Sequence, residues 1–161
     1  MKKKNEKTNV MRILDSAKVE HSCHFYYDTD AVAGVDVAAV LVEDPAHVYK
    51  TLVTVGASGE HYVFLVPVKC NLNLKKASRA VGEKSVEMIP AKKLLPLTGY
   101  VHGVCSPIGM KKQFRCVIDS SVENFDTIFF SAGKIGYQVE LSPSALRQVL
   151  DYETCDICDE V

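Results

Sequence analysis

Apolar residues recur three and four positions apart at the start of the chain. Val10, Ile13, Leu14 and Ala17 share one face and predict a helix over 9–18, capped by Thr8 or Asn9. Residues 23–27 read as a strand, and a second helix is predicted over 33–42 although its valines weigh against helix. Asp44-Pro45 marks a turn. The β-rich runs 49–55 and 62–68, separated by Ala57-Ser58-Gly59-Glu60, form the clearest hairpin pattern in the chain. Asn73 reads as the N-cap of a helix over 74–81 that Gly82 terminates. A short strand over 84–88, one helical turn over 90–95 and strands over 116–119, 127–131 and 137–141 follow. Ser142-Pro143 pairs an N-cap with a first-turn proline and starts a last helix over 143–152.

Helices and strands are interspersed, but long helices do not alternate regularly with strands, and several strands come in hairpin-like pairs. That pattern predicts an α+β fold with a mixed, mostly antiparallel sheet. A chain of 161 residues without repeat or linker reads as a single domain, 1–161, with short solvated tails at about 1–7 and 153–161.

Composition adds two things. Apolar residues make up 47% and charged ones 24%, enough for a packed core. No apolar run reaches the ~20 residues of a membrane span. The longest, 31–42, is interrupted by Asp36, and no signal-like stretch follows the N-terminal lysines, so a cytoplasmic location is expected and the six cysteines read as free thiols. The net charge of −1 excludes a uniformly basic nucleic-acid binder. With the five acids of residues 151–161 set aside, −1 becomes +4, so a basic face on the body is expected.

Candidate chemistry is sparse. Cys155-Asp156-Ile157-Cys158 is a lone CxxC in an acidic setting, without the further ligands of a zinc site. His21 and His24, on a strand, point to opposite faces and do not chelate one metal. Cys105-Ser106-Pro107-Ile108-Gly109 lacks the GxSxG elbow, but Gly99, Gly103, Gly109 and Pro107 allow a loop that presents backbone amides to an oxyanion. Ser131-Ala132-Gly133-Lys134-Ile135-Gly136 reads as a hairpin turn or as the small-residue wall of a pocket. Lys50 opens an apolar β run, where a lysine needs water, an anion or a carboxylate, or lays its stem along the sheet edge. Lys75, Lys76, Arg79 and Lys84 form one basic cluster, and Lys92, Lys93, Lys111, Lys112, Arg115 and Lys134 supply others; such runs are a solvated face or an anion-binding surface.

Several stretches in order and spacing resemble the YbaK family of aminoacyl-tRNA editing proteins, relatives of the editing insertion domain of bacterial prolyl-tRNA synthetase. They are Val48-Tyr49-Lys50-Thr51-Leu52, Asn73-Leu74-Lys75-Lys76-Ala77, Val86-Glu87-Met88, Thr98-Gly99-Tyr100, the run from Gly103 to Lys112 and the run from Ser131 to Gly136. The resemblance covers about 8–152 and implies a barrel-like sheet flanked by helices. It implies a trans-acting deacylase for Cys-tRNA(Pro) and Cys-tRNA(Cys), in which the substrate's own thiol attacks its ester carbonyl. The rival readings are a deacylase for Ala-tRNA(Pro) or another small residue, and a non-catalytic tRNA-binding module.

By the same resemblance, Lys50 and Gly103 are the catalytic positions. It places Tyr26, Thr51 and Ser131 in the substrate pocket; Ser106, Pro107 and Gly133 of the small-residue loops are expected there too, and the basic clusters, with Lys75, Lys76, Lys111, Lys112 and Lys134, are expected to hold tRNA. The implied partners are the acceptor end of mischarged tRNA and prolyl-tRNA synthetase, with neither DNA nor membrane and no metal or cofactor. The chain departs from the family pattern at Val104, Ala132, Ile135 and Ala33, positions that bear on the amino-acid preference of the pocket.

Overall fold

A computed structural model describes residues 6–159. The lysines at positions 2–4 and the acid at 160, expected in the tails, lie outside the described residues. Helix α1 (Asn9–Ser16) starts where the Thr8 hydroxyl accepts the Met11 N–H at 3.3 Å. It is shorter than the predicted 9–18 because Lys18 turns into the left-handed region at φ 57° and the Val19 N–H closes back on the Leu14 carbonyl. Strand β1 (Ser22–Phe25) follows, then α2 (Gly34–Val40), which stops short of the predicted residue 42 for a similar reason given below.

The predicted hairpin is β2 (Tyr49–Gly56) and β3 (His61–Pro67), antiparallel in the register Lys50 to Val66 and Leu52 to Phe64. Helix α3 (Leu74–Val81) is capped by Asn73 and ended by Gly82 at φ 75°, as the sequence predicts. Strand β4 (Val86–Met88) pairs with the end of β2. Helix α4 (Ala91–Thr98) runs past the predicted single turn and carries Pro96 internally before Gly99 terminates it. Strand β5 (Arg115–Asp119) leads through a 3-10 turn (Ser120–Asn124) to the hairpin of β6 (Ile128–Ser131) and β7 (Tyr137–Leu141).

Helix α5 (Pro143–Leu146) is much shorter than 143–152. Beyond it the bonds tighten to i→i−3, as from Gln148 to Ala145, and the chain leaves the helix.

The C-terminal segment corrects the expectation of a solvated tail. Residues Glu153–Cys155 form β8, parallel to β5, and Ile157 is 0% exposed. The acids there are engaged: Glu153 accepts from Arg115 at 2.7 Å and Asp156 from Lys76 at 3.0 Å. Two of the five acids set aside in the sequence reading, Glu153 and Asp156, are thus paired with basic residues of the body.

Two sheets result, of order β1-β7-β6 and β4-β2-β3-β5-β8. Val63 and Leu65 of β3 face one core, shared with α1 (Val10, Leu14) and with Phe130, Tyr137 and Val139 of the small sheet. Tyr62, Phe64 and Val66 face the other way, onto Ala77 and Val81 of α3 and Ile157. The period of two thus buries the large sheet on both faces. The sheets meet where Val48 bridges Phe129 and the Phe129 N–H donates to the His47 carbonyl at 3.0 Å.

Candidate active site

At this seam the large sheet opens. Strand β2 is tied to β6 through Val48 and to β4 only from Val53 onward, where the Ile89 N–H reaches the Val53 carbonyl at 3.3 Å. Between these ties the β2 edge at residues 50–52 faces a cavity of about 610 Å³. Every residue from Val48 to Val53 lines it, which a fully paired strand with alternating faces would not do. The volume lies within the ~300–1,000 Å³ of small-ligand sites.

Lys50 is the lysine on this wall, and among the described residues it forms no ion pair. Thr51 is beside it, and its buried hydroxyl oxygen meets no partner among the described residues. The small sheet supplies the opposite wall. Ser131 and Gln138 are directly opposed in the β6–β7 register and both line the cavity. Tyr26 lines it too, held by its N–H on the Gly136 carbonyl at 2.8 Å; burial pushes its hydroxyl pKa up. The neighbouring Tyr27 stacks edge-on against Tyr137 instead.

Gly103 closes the third side at φ 93°, in a conformation that favours glycine. Among the described residues its N–H donates to no backbone carbonyl. The Ser131 hydroxyl donates to the Val104 carbonyl at 2.8 Å and accepts the Gly133 N–H at 3.0 Å, which pins this loop to β6.

The structure does not bring the other expected residues to the cavity. Ser106 is fully buried in its own loop, where its hydroxyl oxygen faces the Ile108 N–H at 3.4 Å, and Pro107 is buried beside it. Gly133 makes room for Tyr100: a Cβ there would stand 2.7 Å from the Tyr100 ring. The Tyr100 hydroxyl in turn donates to the Ile108 carbonyl.

None of the five expected tRNA lysines lines the cavity. Lys75 and Lys76 lie on α3, and Lys76 holds Asp156 and the Cys158 carbonyl. Lys112 lies over the Phe114 ring, Lys111 passes Gly99, and Lys134 pairs with Glu6, which raises its pKa.

Cys105 is the thiol on the cavity wall, and burial pushes it up to about 12. Burial of this kind disfavours the thiolate, the nucleophilic form. Cys158 is raised as well, by burial first and then by Asp119, and it contacts Cys70 rather than forming a CxxC site with Cys155. His24 bonds Glu140 at 2.8 Å and His21 the Val19 carbonyl at 2.8 Å. Among the described residues no cluster of three metal-ligating side chains occurs.

Two polar lining residues are missed by the sequence reading. His102 stands exposed at the mouth, and Gln138 is buried on the wall with an unpartnered carbonyl oxygen. An unmet buried acceptor costs ~1–3 kcal/mol. The alternation of β7 could have placed Gln138 on the face opposite Tyr137 and Val139.

Among the described residues the seam cavity thus combines a lysine outside any ion pair with the Gly103 N–H, a set of groups suited to stabilising negative charge. The chain belongs to the aminoacyl-tRNA editing domain family, whose model matches residues 28–149. It is 39% identical over 157 residues, 97% of this chain and 96% of the relative, to the Enterococcus faecalis protein named "Putative Cys-tRNA(Pro)/Cys-tRNA(Cys) deacylase EbsC". It is 30% identical over 134 residues to a proline–tRNA ligase of Geobacter sp. (strain M21), of which it spans 23%. Among solved structures it superposes on "a putative trans-editing enzyme for prolyl tRNA synthetase" with TM-score 0.79 at 21% identity, covering 94% of this chain and 95% of that one. The hypothetical protein APE2540 gives TM-score 0.85 at 19% identity, covering 93% and 99%. These two likenesses show the fold, an α+β editing-domain architecture.

Proposed function

We propose that the protein is a trans-editing deacylase that removes cysteine from Cys-tRNA(Pro) and Cys-tRNA(Cys), and that it works in the cytoplasm, alone or beside prolyl-tRNA synthetase. One observation carries the reading of the chemistry: the cavity holds the Lys50 ammonium and the Gly103 N–H, while its own thiol, Cys105, is buried, which disfavours the thiolate. The nucleophile then comes from the substrate. The cysteinyl sulfur attacks its own ester carbonyl and its proton passes to water. The carbon–oxygen bond to the ribose breaks, the ribose oxygen leaves with a proton, and the amino acid departs as a thiolactone. Because the attack is intramolecular, orientation alone supplies much of the rate.

Gly103 donates its N–H to the developing oxyanion, and Lys50 supplies the positive charge facing the ester. Thr51, Tyr26 and Ser131 shape the aminoacyl site. Lys75, Lys76, Lys111, Lys112 and Lys134 contribute to holding the acceptor stem, an interaction that weakens with salt. The 39% identity to the Enterococcus protein supports the choice of cysteine.

The test is a panel of charged tRNAs with the wild type and Lys50→Ala. Cys-tRNA should be cleaved far faster than Ser-tRNA, whose hydroxyl is a poorer nucleophile. Lys50→Ala should lose at least about 100-fold in rate, the scale of a lost oxyanion stabiliser. Equal rates on the two tRNAs, or an undiminished variant, overturn the reading.

A further inference from the structure

Gln138 is only 2% exposed, yet it lines the cavity. Its amide has two chemically different ends. The Nε2 end donates to the Glu43 carboxylate at 3.1 Å, while Oε1 is buried and meets no donor among the described residues. An ionised carboxylate accepts and does not donate, so the contact with Glu43 decides which end of the amide is nitrogen. The end left without a partner, buried beside the cavity, is a carbonyl.

Glu43 reaches this position by a strained path. Helix α2 closes with the Glu43 N–H on the Ala38 carbonyl at 2.8 Å and the Val42 N–H on the Ala39 carbonyl at 3.2 Å. This geometry puts Val42 at φ 56°, where glycine is usual and a β-branched residue is strained. Val42 is 92% exposed and packs on little, so the turn is held by these backbone hydrogen bonds and by the contact of Glu43 with Gln138. Burial pushes the Glu43 carboxyl above its ordinary range, the hydrogen bond from Gln138 opposes that rise, and of the other ionisable groups facing it His24 favours its charge and Glu140 opposes it. Those two pair with each other at 2.8 Å.

An acceptor with a carboxylate behind it suits a cationic donor and repels phosphate. Every aminoacyl ester carries one such donor beside its carbonyl: the α-ammonium. We propose that Glu43 is a positioning residue, holding the Gln138 carbonyl toward the α-ammonium of the aminoacyl group, so that the cavity selects free aminoacyl esters over N-acylated ones. The proposal rests on the editing reading only in taking an aminoacyl ester as the occupant; it does not require that the side chain be cysteine.

The experiment uses full-length protein and two non-cleavable probes, 3′-amino-3′-deoxyadenosine acylated with cysteine or with N-acetylcysteine, titrated calorimetrically. The wild type should prefer the free amine by at least about tenfold, the scale of a hydrogen bond to a charged group. Glu43→Leu should erase most of that preference and raise KM for the tRNA substrate with little change in kcat. The exchange E43Q/Q138E keeps an amide–carboxylate pair and returns an acceptor oxygen to the cavity, so it should restore the preference. That outcome separates positioning from a general loss of folding. Equal binding of the two probes by the wild type, or an unchanged preference in Glu43→Leu, overturns the proposal. A wild type that prefers the amine probe but does not cleave Cys-tRNA sinks the cysteine reading and leaves this one standing.

Discussion

The Ser131 hydroxyl donates to the Val104 carbonyl at 2.8 Å, so a strand of the small sheet clamps the loop that carries Gly103. The same hydroxyl takes the Gly133 N–H, and neither bond points at an ester. Ser131 is therefore a clamp on the loop of Gly103, the proposed oxyanion donor. Ser131→Ala should lower kcat by about tenfold through misplacement of that donor, with the fold intact by circular dichroism. A wild-type kcat in this variant would detach the loop from the chemistry.

Cys105 tests the source of the nucleophile. Its thiol, pushed up to about 12 by burial, is protonated across the physiological range. Cys105→Ala should retain the deacylation rate within about threefold, allowing for a small packing defect at a buried site. Loss of turnover comparable to that of Lys50→Ala would make Cys105 a covalent participant and refute substrate-thiol attack.

Ile157 tests the C-terminal segment. It is 0% exposed and packs with Tyr62, Phe64 and Val66 against α3. Ile157→Ala should cost about 2–4 kcal/mol in urea unfolding, the usual range for a buried aliphatic truncation. Glu153→Gln, which breaks only the exposed pair with Arg115, should cost at most about 1 kcal/mol. A segment detached from the core would show no difference between the two.

Glu140 gives a pH dependence with a defined sign. Burial raises its carboxyl, but the hydrogen bonds from Thr127 at 2.5 Å and from His24 outweigh it, and the net pKa lies below the ordinary 4.5. A lowered folded-state pKa means that the native state binds this proton less tightly than the unfolded chain. Its stabilisation is therefore present above pH 4.5 and is lost as pH falls through the folded value. Glu140→Gln should remove that part of the acid limb and cost about 1 kcal/mol at pH 7. Unfolding curves from pH 3 to 7 that superimpose for the two proteins would show the contrary.

Val42 offers a test of strain. A valine at φ 56° with a solvent-exposed side chain gains nothing from packing to offset its backbone. Val42→Gly should stabilise the protein by about 1 kcal/mol. A destabilised variant would mean that the turn is not strained.

What could be read from the sequence followed from local signals. Asn73 and Gly82 bracket α3 as their side chains dictate, and the β2–β3 hairpin carries its own turn. Helices α1 and α2 were drawn too long because Lys18 and Val42 occupy left-handed positions that composition assigns to glycine. Strand β8 escapes because its acids read as a solvated run; Glu153 and Asp156 are exposed, and it is the buried Ile157 and the pairs with distant Arg115 and Lys76 that tie the segment down. In the site, Lys50 stood out as a charge in an apolar run. Gln138 did not, since its significance depends on Glu43, 95 positions away, taking one end of its amide.

The cavity lies between two separately hydrogen-bonded sheets, and this has a consequence for how its selectivity can change. Its aperture is set by the spacing of two sheets that are bridged at Val48 and Phe129 and packed through a shared core, while the polar groups sit on strands with their own registers. A change of volume at Val53 or Phe130, in the packing between the sheets, would resize the chamber and leave Lys50, Thr51 and Gln138 in place. Such a fold can drift from one small amino acid to another by adjusting its filler while its electrostatics stay constant.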